Sequence, residues 1–208
     1  MKTIKQEFYE NLNHEFNKHF PRVFKGEGVI LKKPSDRLDE MINWCREQHA
    51  KTNHLYDGNP YSLHLRMVEN VAYKFKYLYK DDYTLSFKDI ILACNAHDLI
   101  EDARLTYNDV KDELGVDVAE VVYAVTNNKG KTRKERANKE YYEGIVKVHG
   151  ATFVKLCDRI ANVTYSKMID SGMFYKYKEE NYEFLSSLEI NKEHYLLPMA
   201  NYLISLFV

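Results

Sequence analysis

Glycine and proline are scarce in this chain, eight and four among 208 residues. That is well below average usage. With so few breakers, and with Lys, Glu, Leu and Ala abundant, helices are the expected structure. Cysteine is also rare. Cys45, Cys94 and Cys157 are odd in number, far apart and flanked by apolar residues, which excludes a disulfide framework and fits reduced, buried thiols in a cytoplasmic protein. No CxxC pair supports a thiolate metal site. Charge of one sign is missing too: 30 basic against 31 acidic residues leave a formal net charge of −1. No global positive field exists to coat a nucleic acid. No apolar run is long enough to cross a bilayer, so neither nucleic acid nor membrane is an expected partner. The opening MKTIKQEFYE is charged and has no apolar h-region, so no secretory signal is expected.

What is present is a foldable core. Apolar residues make up 45% of the chain, too many for disorder, and a chain this long folds as about one domain without staples. Periodicity predicts a first helix over 4–19, from Ile4, Phe8, Leu12 and Phe16, then a loop to 34 and a helix over about 36–50. Residues 52–60 read as a loop. A helix over 61–79 carries the stripe His64, Met67, Val68, Val71, Ala72 and Phe75. Further helices are expected over 86–102, from Thr106 (a T-x-x-D cap) to Gly115, and over 117–126, 135–149, 151–169, 173–189 and 192–206. The fold class is therefore all-α, a single bundle of about eight to ten helices. The seventeen tyrosines read as packing and pocket-lining aromatics.

Three short stretches carry chemistry. His97-Asp98-Leu99-Ile100-Glu101-Asp102 puts four ionisable or metal-binding side chains on neighbouring positions, paired i, i+3 and i, i+4. Carboxylates crowded beside apolar residues repel unless a cation or a shared proton offsets them. A divalent metal would do so, with His and Asp as adjacent nitrogen and oxygen ligands. Read alone, the six residues also fit a solvated acidic helix end. In Lys155-Leu156-Cys157-Asp158-Arg159-Ile160-Ala161-Asn162, Asp158 and Asn162 share one face of an apolar helix, where a buried Asp needs a partner; alone, a surface Asp158–Arg159 face serves as well. His64, on an apolar stripe, reads alone as a core histidine.

Taken in order, His64, His97-Asp98 and Asp158 resemble the HD superfamily of metal-dependent phosphohydrolases, in which two histidines and two aspartates on separate helices hold one metal. The resemblance implies a single HD-domain helical bundle over 36–208, with residues 1–35 as a helical extension, and His64, His97, Asp98 and Asp158 as metal ligands. The form HD-x-x-E-D is similar to the hydrolase domain of the RelA/SpoT proteins and their small stand-alone relatives, which remove the 3′-pyrophosphate of ppGpp and pppGpp. The likeness runs over about residues 36–185. It takes in Tyr56-Asp57-Gly58-Asn59-Pro60-Tyr61, Val125-Thr126 with the basic loop after it, and Lys155 to Arg159 with Asn162.

Carried over, Glu101 and Asp102 are the catalytic acids, and Asn162 contacts the substrate. Lys129, Arg133 and Arg136 hold phosphates, and Lys178 and Tyr182 border the pocket. The cation-rich run 127–136 reads by itself as a solvated surface, but Arg forks also suit phosphate, and a carboxylate-rich site needs cations to admit a polyanion. Mixed His/Asp ligation suits Mn²⁺, with Zn²⁺ or Fe²⁺ as other candidates.

The chain departs from the resemblance in two places. Asn53 and His54 stand where those hydrolases carry an Arg-Lys pair that helps hold the guanine nucleotide, and Leu65 stands where Pro usually follows the first metal histidine. The function implied is metal-dependent hydrolysis of a nucleotide phosphate or pyrophosphate ester, with (p)ppGpp 3′-pyrophosphohydrolysis foremost. A 5′- or 3′-nucleotide monophosphatase, a non-catalytic nucleotide-sensing protein and a siteless helical scaffold are the other readings. A small nucleotide is the expected partner, and self-association is left open.

Overall fold

The computed structural model describes residues 37–79, 85–127 and 131–208, and within the last stretch only the backbone of Arg133 and Lys134. The expected 1–35 extension, with its helix over 4–19, lies outside the described residues. The elements in chain order are α1 (Arg37–Lys51), β1 (Leu55–Tyr56), β2 (Asn59–Pro60), α2 (Ser62–Lys74) with a 3₁₀ turn after it (Lys76–Leu78), α3 (Phe87–Ala96) and α4 (Leu99–Asp102). They continue with α5 (Tyr107–Leu114), α6 (Val116–Val125), α7 (Arg133–Arg136), α8 (Lys139–Lys147), α9 (Ala151–Met168), α10 (Gly172–Ser187) and α11 (Leu197–Ser205). The fold is all-α, as the shortage of breakers implies.

The long helix α9 is the axis of the bundle. Thirteen of its eighteen residues are buried, the signature of a helix enclosed on nearly every side. Its broadest contact is with α2, and it also meets α3, α6, α8, α10 and α11. The stripe predicted on α2 is buried as expected, from His64 to Phe75. Gly150 starts α9 in the left-handed region, at φ +81. A Cβ there would fall 2.6 Å from Leu85 Cδ2 and 2.7 Å from Ile90 Cδ1, so both conformation and space require glycine.

Local signals hold at several ends. Thr106 and Asp109 form a reciprocal capping box at the start of α5, and α5 ends at Gly115, with φ +93. All three cysteines are buried and none forms a disulfide. No described helix is long and apolar enough to cross a membrane.

Five boundaries correct the sequence reading. The helix expected over 61–79 ends at Lys74, and Lys76–Leu78 form a separate 3₁₀ turn. The loop 52–60 contains a small antiparallel hairpin, Leu55 opposite Pro60 and Tyr56 opposite Asn59. Asp57 and Gly58 turn it with φ of 49 and 74, the left-handed pair that a tight two-residue turn needs. The helix expected over 86–102 breaks at His97–Asp98 into α3 and α4. The Cys94 carbonyl, the acceptor that a continuing helix would offer to the N–H of residue 98, takes a hydrogen bond from His97 Nδ1 at 2.9 Å, and Asp98 sits at φ −104, ψ 5. The helix expected over 135–149 splits into α7 and α8 because the Asn138 side chain accepts the Tyr141 N–H and caps a new start. The last helix begins at Leu197, with Pro198 in its first turn, where a missing N–H costs nothing.

Candidate active site

Three separate elements converge on one point. The hairpin leads into the first turn of α2, which presents His64. The break between α3 and α4 presents His97 and Asp98. Asp158 comes from the middle of α9. His64 Nε2 lies 3.3 Å from His97 Nε2 and 3.4 Å from Asp158 Oδ1, and His97 Nε2 lies 3.8 Å from Asp158 Oδ1. Asp98 Oδ2 is 2.9 Å from His97 Nε2 and 3.9 Å from His64 Nε2.

Ligands about 2.1 Å from an ion stand roughly 3.0–3.4 Å apart in octahedral or tetrahedral arrangements. The four donor groups are therefore close to the spacing of one coordination sphere, and His64, His97 and Asp158 form a cluster able to hold a metal ion. The donor set, two imidazoles with carboxylate oxygen, suits a divalent transition ion.

Local contacts aim the ligands. The His97 Nδ1–H is committed to the Cys94 carbonyl, which leaves the Nε2 lone pair toward the centre. His64 Nδ1 is buried with no hydrogen-bond partner among the described residues, and its ring is held by stacking on Tyr56, centroids 4.7 Å apart. The Tyr61 hydroxyl donates to Asp98 Oδ2. Asn162 donates from Nδ2 to Asp158 Oδ1 and, at 3.1 Å, to the Asp158 carbonyl. Asn162 Oδ1 in turn accepts from Tyr56 Oη at 2.8 Å.

Opposed charges dominate the electrostatics. Burial raises the Asp158 carboxyl, but Lys155, His64 and His97 hold it well below the ordinary range. Burial likewise opposes the Asp98 carboxylate, and His97 more than offsets it. Burial works against a charged His97, yet Asp98 and Asp158 push its pKa up to about 9. Burial and Asp98 push the Tyr61 hydroxyl far up, so it remains a donor. Proton and metal therefore compete for one lone pair.

The two trailing acids differ. Glu101 is exposed and accepts from Asn127, at 3.0 and 2.9 Å from Nδ2 and 3.3 Å from the backbone N–H. Asp102, whose side chain is 37% exposed, is raised to about 7 by partial burial, Asp98 and Glu101. Both face a cavity of about 870 Å³ that also contains His64, Asp98, Asp158, Asn162 and Arg136 in its walls. Of the residues expected to touch a substrate, Asn162 and Arg136 are brought to this cavity.

Lys178 and Tyr182 are not. Lys178 Nζ donates to the Phe207 carbonyl at 2.9 Å, and Tyr182 is 86% exposed. Tyr177, Glu180 and Phe184, on the opposite face of α10, line the cavity in their place. Lys129 and the Arg133 side chain lie outside the described residues.

Sequence reasoning missed three contributors. Tyr56 and Tyr61 orient Asn162 and Asp98, and their signal was the tyrosine excess. Lys155 lines the cavity and donates to Asp158 Oδ2 at 3.1 Å; its signal was its place three residues before Asp158 on an apolar helix. Burial opposes its charge, but Tyr141, Asp158 and Asp98 keep its pKa above the usual lysine value. Asn53 and His54 are now placed. Asn53 is exposed in a left-handed turn, φ 53. His54 stacks on Tyr61 at 4.0 Å between centroids, lies 3.1 Å from His49 Nδ1, and is 3.8 Å from Asp102 Oδ2. Leu65 is fully buried in the core.

No family model matches the chain. It is 27% identical over 127 residues to the guanosine-3′,5′-bis(diphosphate) 3′-pyrophosphohydrolase MESH1 of Danio rerio, covering 61% of this chain and 67% of that protein. It is 29% identical over 133 residues to the guanosine-3′,5′-bis(diphosphate) 3′-pyrophosphohydrolase of Aquifex aeolicus (strain VF5), covering 62% of this chain but only 18% of that longer protein. Its fold matches the solved structure of a metazoan ortholog of SpoT described as hydrolysing ppGpp. The TM-score is 0.61 at 19% sequence identity, over 84% of this chain and 97% of that one.

Proposed function

We propose that this chain is an HD-type phosphohydrolase that removes the 3′-pyrophosphate of ppGpp or pppGpp, with one divalent ion held by His64, His97, Asp98 and Asp158. The observation that carries the reading is the convergence of these four side chains at ligand spacing, in the wall of a cavity that also presents Glu101, Asp102 and cations. The alarmone hydrolases to which the chain is similar supply the substrate class. We assign Mn²⁺ to the site, with Zn²⁺ and Fe²⁺ as alternatives, and place the protein in the cytoplasm on its three reduced thiols.

A bound divalent ion would act as a Lewis acid toward a phosphoryl oxygen and lower the pKa of water. The protein's own groups do the rest. Asp102, with a pKa of about 7, is a far stronger base than an ordinary carboxylate and is still substantially ionised at neutral pH. It takes the proton from the attacking water. Glu101 is held by Asn127 and fixes the wall on which Asp102 sits. Asn162, oriented by Tyr56, offers the substrate a polar contact. Arg136 offers a fork to the pyrophosphate as it is released, and the proton that Asp102 has taken goes to the departing 3′-oxygen.

One observation keeps a second substrate in view. His54 is engaged with Tyr61, His49 and Asp102, so this loop offers a nucleotide no Arg-Lys pair. That favours, as the second reading, a nucleotide monophosphatase using the same centre.

The test is product release from ppGpp, pppGpp, NADPH and nucleoside monophosphates, with Mn²⁺ and with chelator. Manganese-dependent pyrophosphate from ppGpp is the expected result, lost in D158N. Orthophosphate from a monophosphate alone would replace the substrate. Ligand binding without release of either product would turn the reading to a sensing protein.

A further inference from the structure

We infer that Lys155 is a substrate-binding residue: its ammonium grips the pyrophosphoryl group beside Asp158. This deepens the proposed function and rests on it for the identity of the group bound. Lys155 is on α9, one turn before Asp158, and its side chain is 15% exposed, with the exposed part in the cavity wall. An ammonium carries three N–H donors and no acceptor. One goes to Asp158 Oδ2 at 3.1 Å. Lys155 Nζ also lies over the Tyr141 ring, 5.8 Å from the centroid, and that ring is fixed by its hydroxyl, which donates to the Val125 carbonyl at 2.8 Å. The remaining donors are left for the cavity.

Charge argues the same way. A pyrophosphate entering this cavity meets Asp98, Asp158, Glu101 and Asp102. Among the other cations in the wall, Arg136 acts on Asp102 rather than on the His/Asp cluster, and Arg159 is drawn to Glu180 at 3.4 Å and sits over the Phe184 ring at 4.1 Å. Lys139 pairs with Glu143 at 3.5 Å. Lys155 is the cation anchored directly against a residue of the His/Asp cluster. Two fixed partners also hold its flexible stem, so little further entropy is lost when a phosphoryl oxygen takes the remaining donor.

A purely structural role, holding Asp158, makes a different prediction, and calorimetry separates the two without relying on turnover. Inorganic pyrophosphate is titrated into Mn²⁺-loaded wild type, K155M and K155R, and Mn²⁺ is titrated into each variant alone. A lost charge-assisted hydrogen bond to phosphate corresponds to roughly 10- to 100-fold in affinity. K155M should weaken pyrophosphate by that factor with Mn²⁺ affinity changed less than about threefold, and K155R should recover most of the loss. Pyrophosphate affinity in K155M within about twofold of wild type overturns the inference. So does a loss of Mn²⁺ binding that accounts for the whole effect, since Lys155 would then act only on Asp158. If K155M does not fold, K155Q is read by the same criteria. Wild type that binds pyrophosphate yet releases none from ppGpp would refute the proposed reaction, while the K155M titration still decides the role of Lys155.

Discussion

Filling the centre with a metal should expel a proton from His97, and the amount follows from its surroundings. Asp98, 2.9 Å from Nε2, and Asp158 raise the imidazole to about 9 against the effect of burial. At about pH 7.5 such a group is roughly 97% protonated. Nδ1–H is tied to Cys94, so the proton that must leave for a metal to bind is the one on Nε2. Mn²⁺ binding at about pH 7.5 should therefore release close to one proton. The number should fall to about half near pH 9, and the apparent affinity should drop about tenfold for each pH unit below that. Isothermal titration calorimetry in two buffers of different ionisation enthalpy measures the count directly. Binding enthalpies that coincide in the two buffers between about pH 7 and 8 would mean that no proton leaves, and would refute the account of a cationic His97 before a metal binds.

Two further outcomes follow from the geometry. At saturating Mn²⁺, kcat/KM should rise with pH and level off no higher than about 7, because Asp102 must be ionised to act as a base, its pKa is raised to about 7 before a metal binds, and a bound cation offsets the Asp98 charge that helps raise it. D102N should lose about 10²- to 10⁴-fold, whereas a profile that levels off near pH 4 would remove Asp102 from that role. G150A should destabilise the fold by about 2–5 kcal/mol, combining a left-handed backbone penalty of about 1–2 kcal/mol with about 1–3 kcal/mol of overpacking against Leu85 and Ile90. Urea denaturation reads this, and a loss below about 1 kcal/mol would show that the neighbouring side chains yield freely.

The sequence displayed those features whose cause is local. The α2 stripe, the Thr106 cap and the Gly115 stop were legible because each depends on residues within a turn or two of one another. His64, His97, Asp98 and Asp158 were legible as a pattern of residue types, although no periodicity says that three remote segments meet. The break at His97–Asp98 was not legible, since a side chain competing for the Cys94 carbonyl leaves no mark on hydrophobic spacing. Lys178 and Tyr182 were misplaced for a related reason. They lie about a quarter turn or more from Tyr177, Glu180 and Phe184, and the phase of α10 is set by packing on α9 and α8 rather than by a strong apolar stripe of its own. Lys155 was legible only as part of the stretch around Asp158, since its second neighbour, the Tyr141 ring on α8, leaves no mark on the sequence near it.

The central place of α9 has a consequence for how the molecule is made. Its buried faces are the surfaces on which α2 and α3 come to rest, yet it is complete only at Met168, some seventy residues downstream of the end of α3 at Ala96. At translation rates of about 5–20 residues per second, the earlier helices leave the ribosome roughly 4–14 s before their partner. Through that interval Met67, Val68, Val71, Ile90 and Ile91, all buried in the finished bundle, have no α9 to cover them. His64 and His97 likewise wait for Asp158. The nascent chain can gather part of its hydrophobic surface early, but the centre that defines it is completed only when α9 arrives.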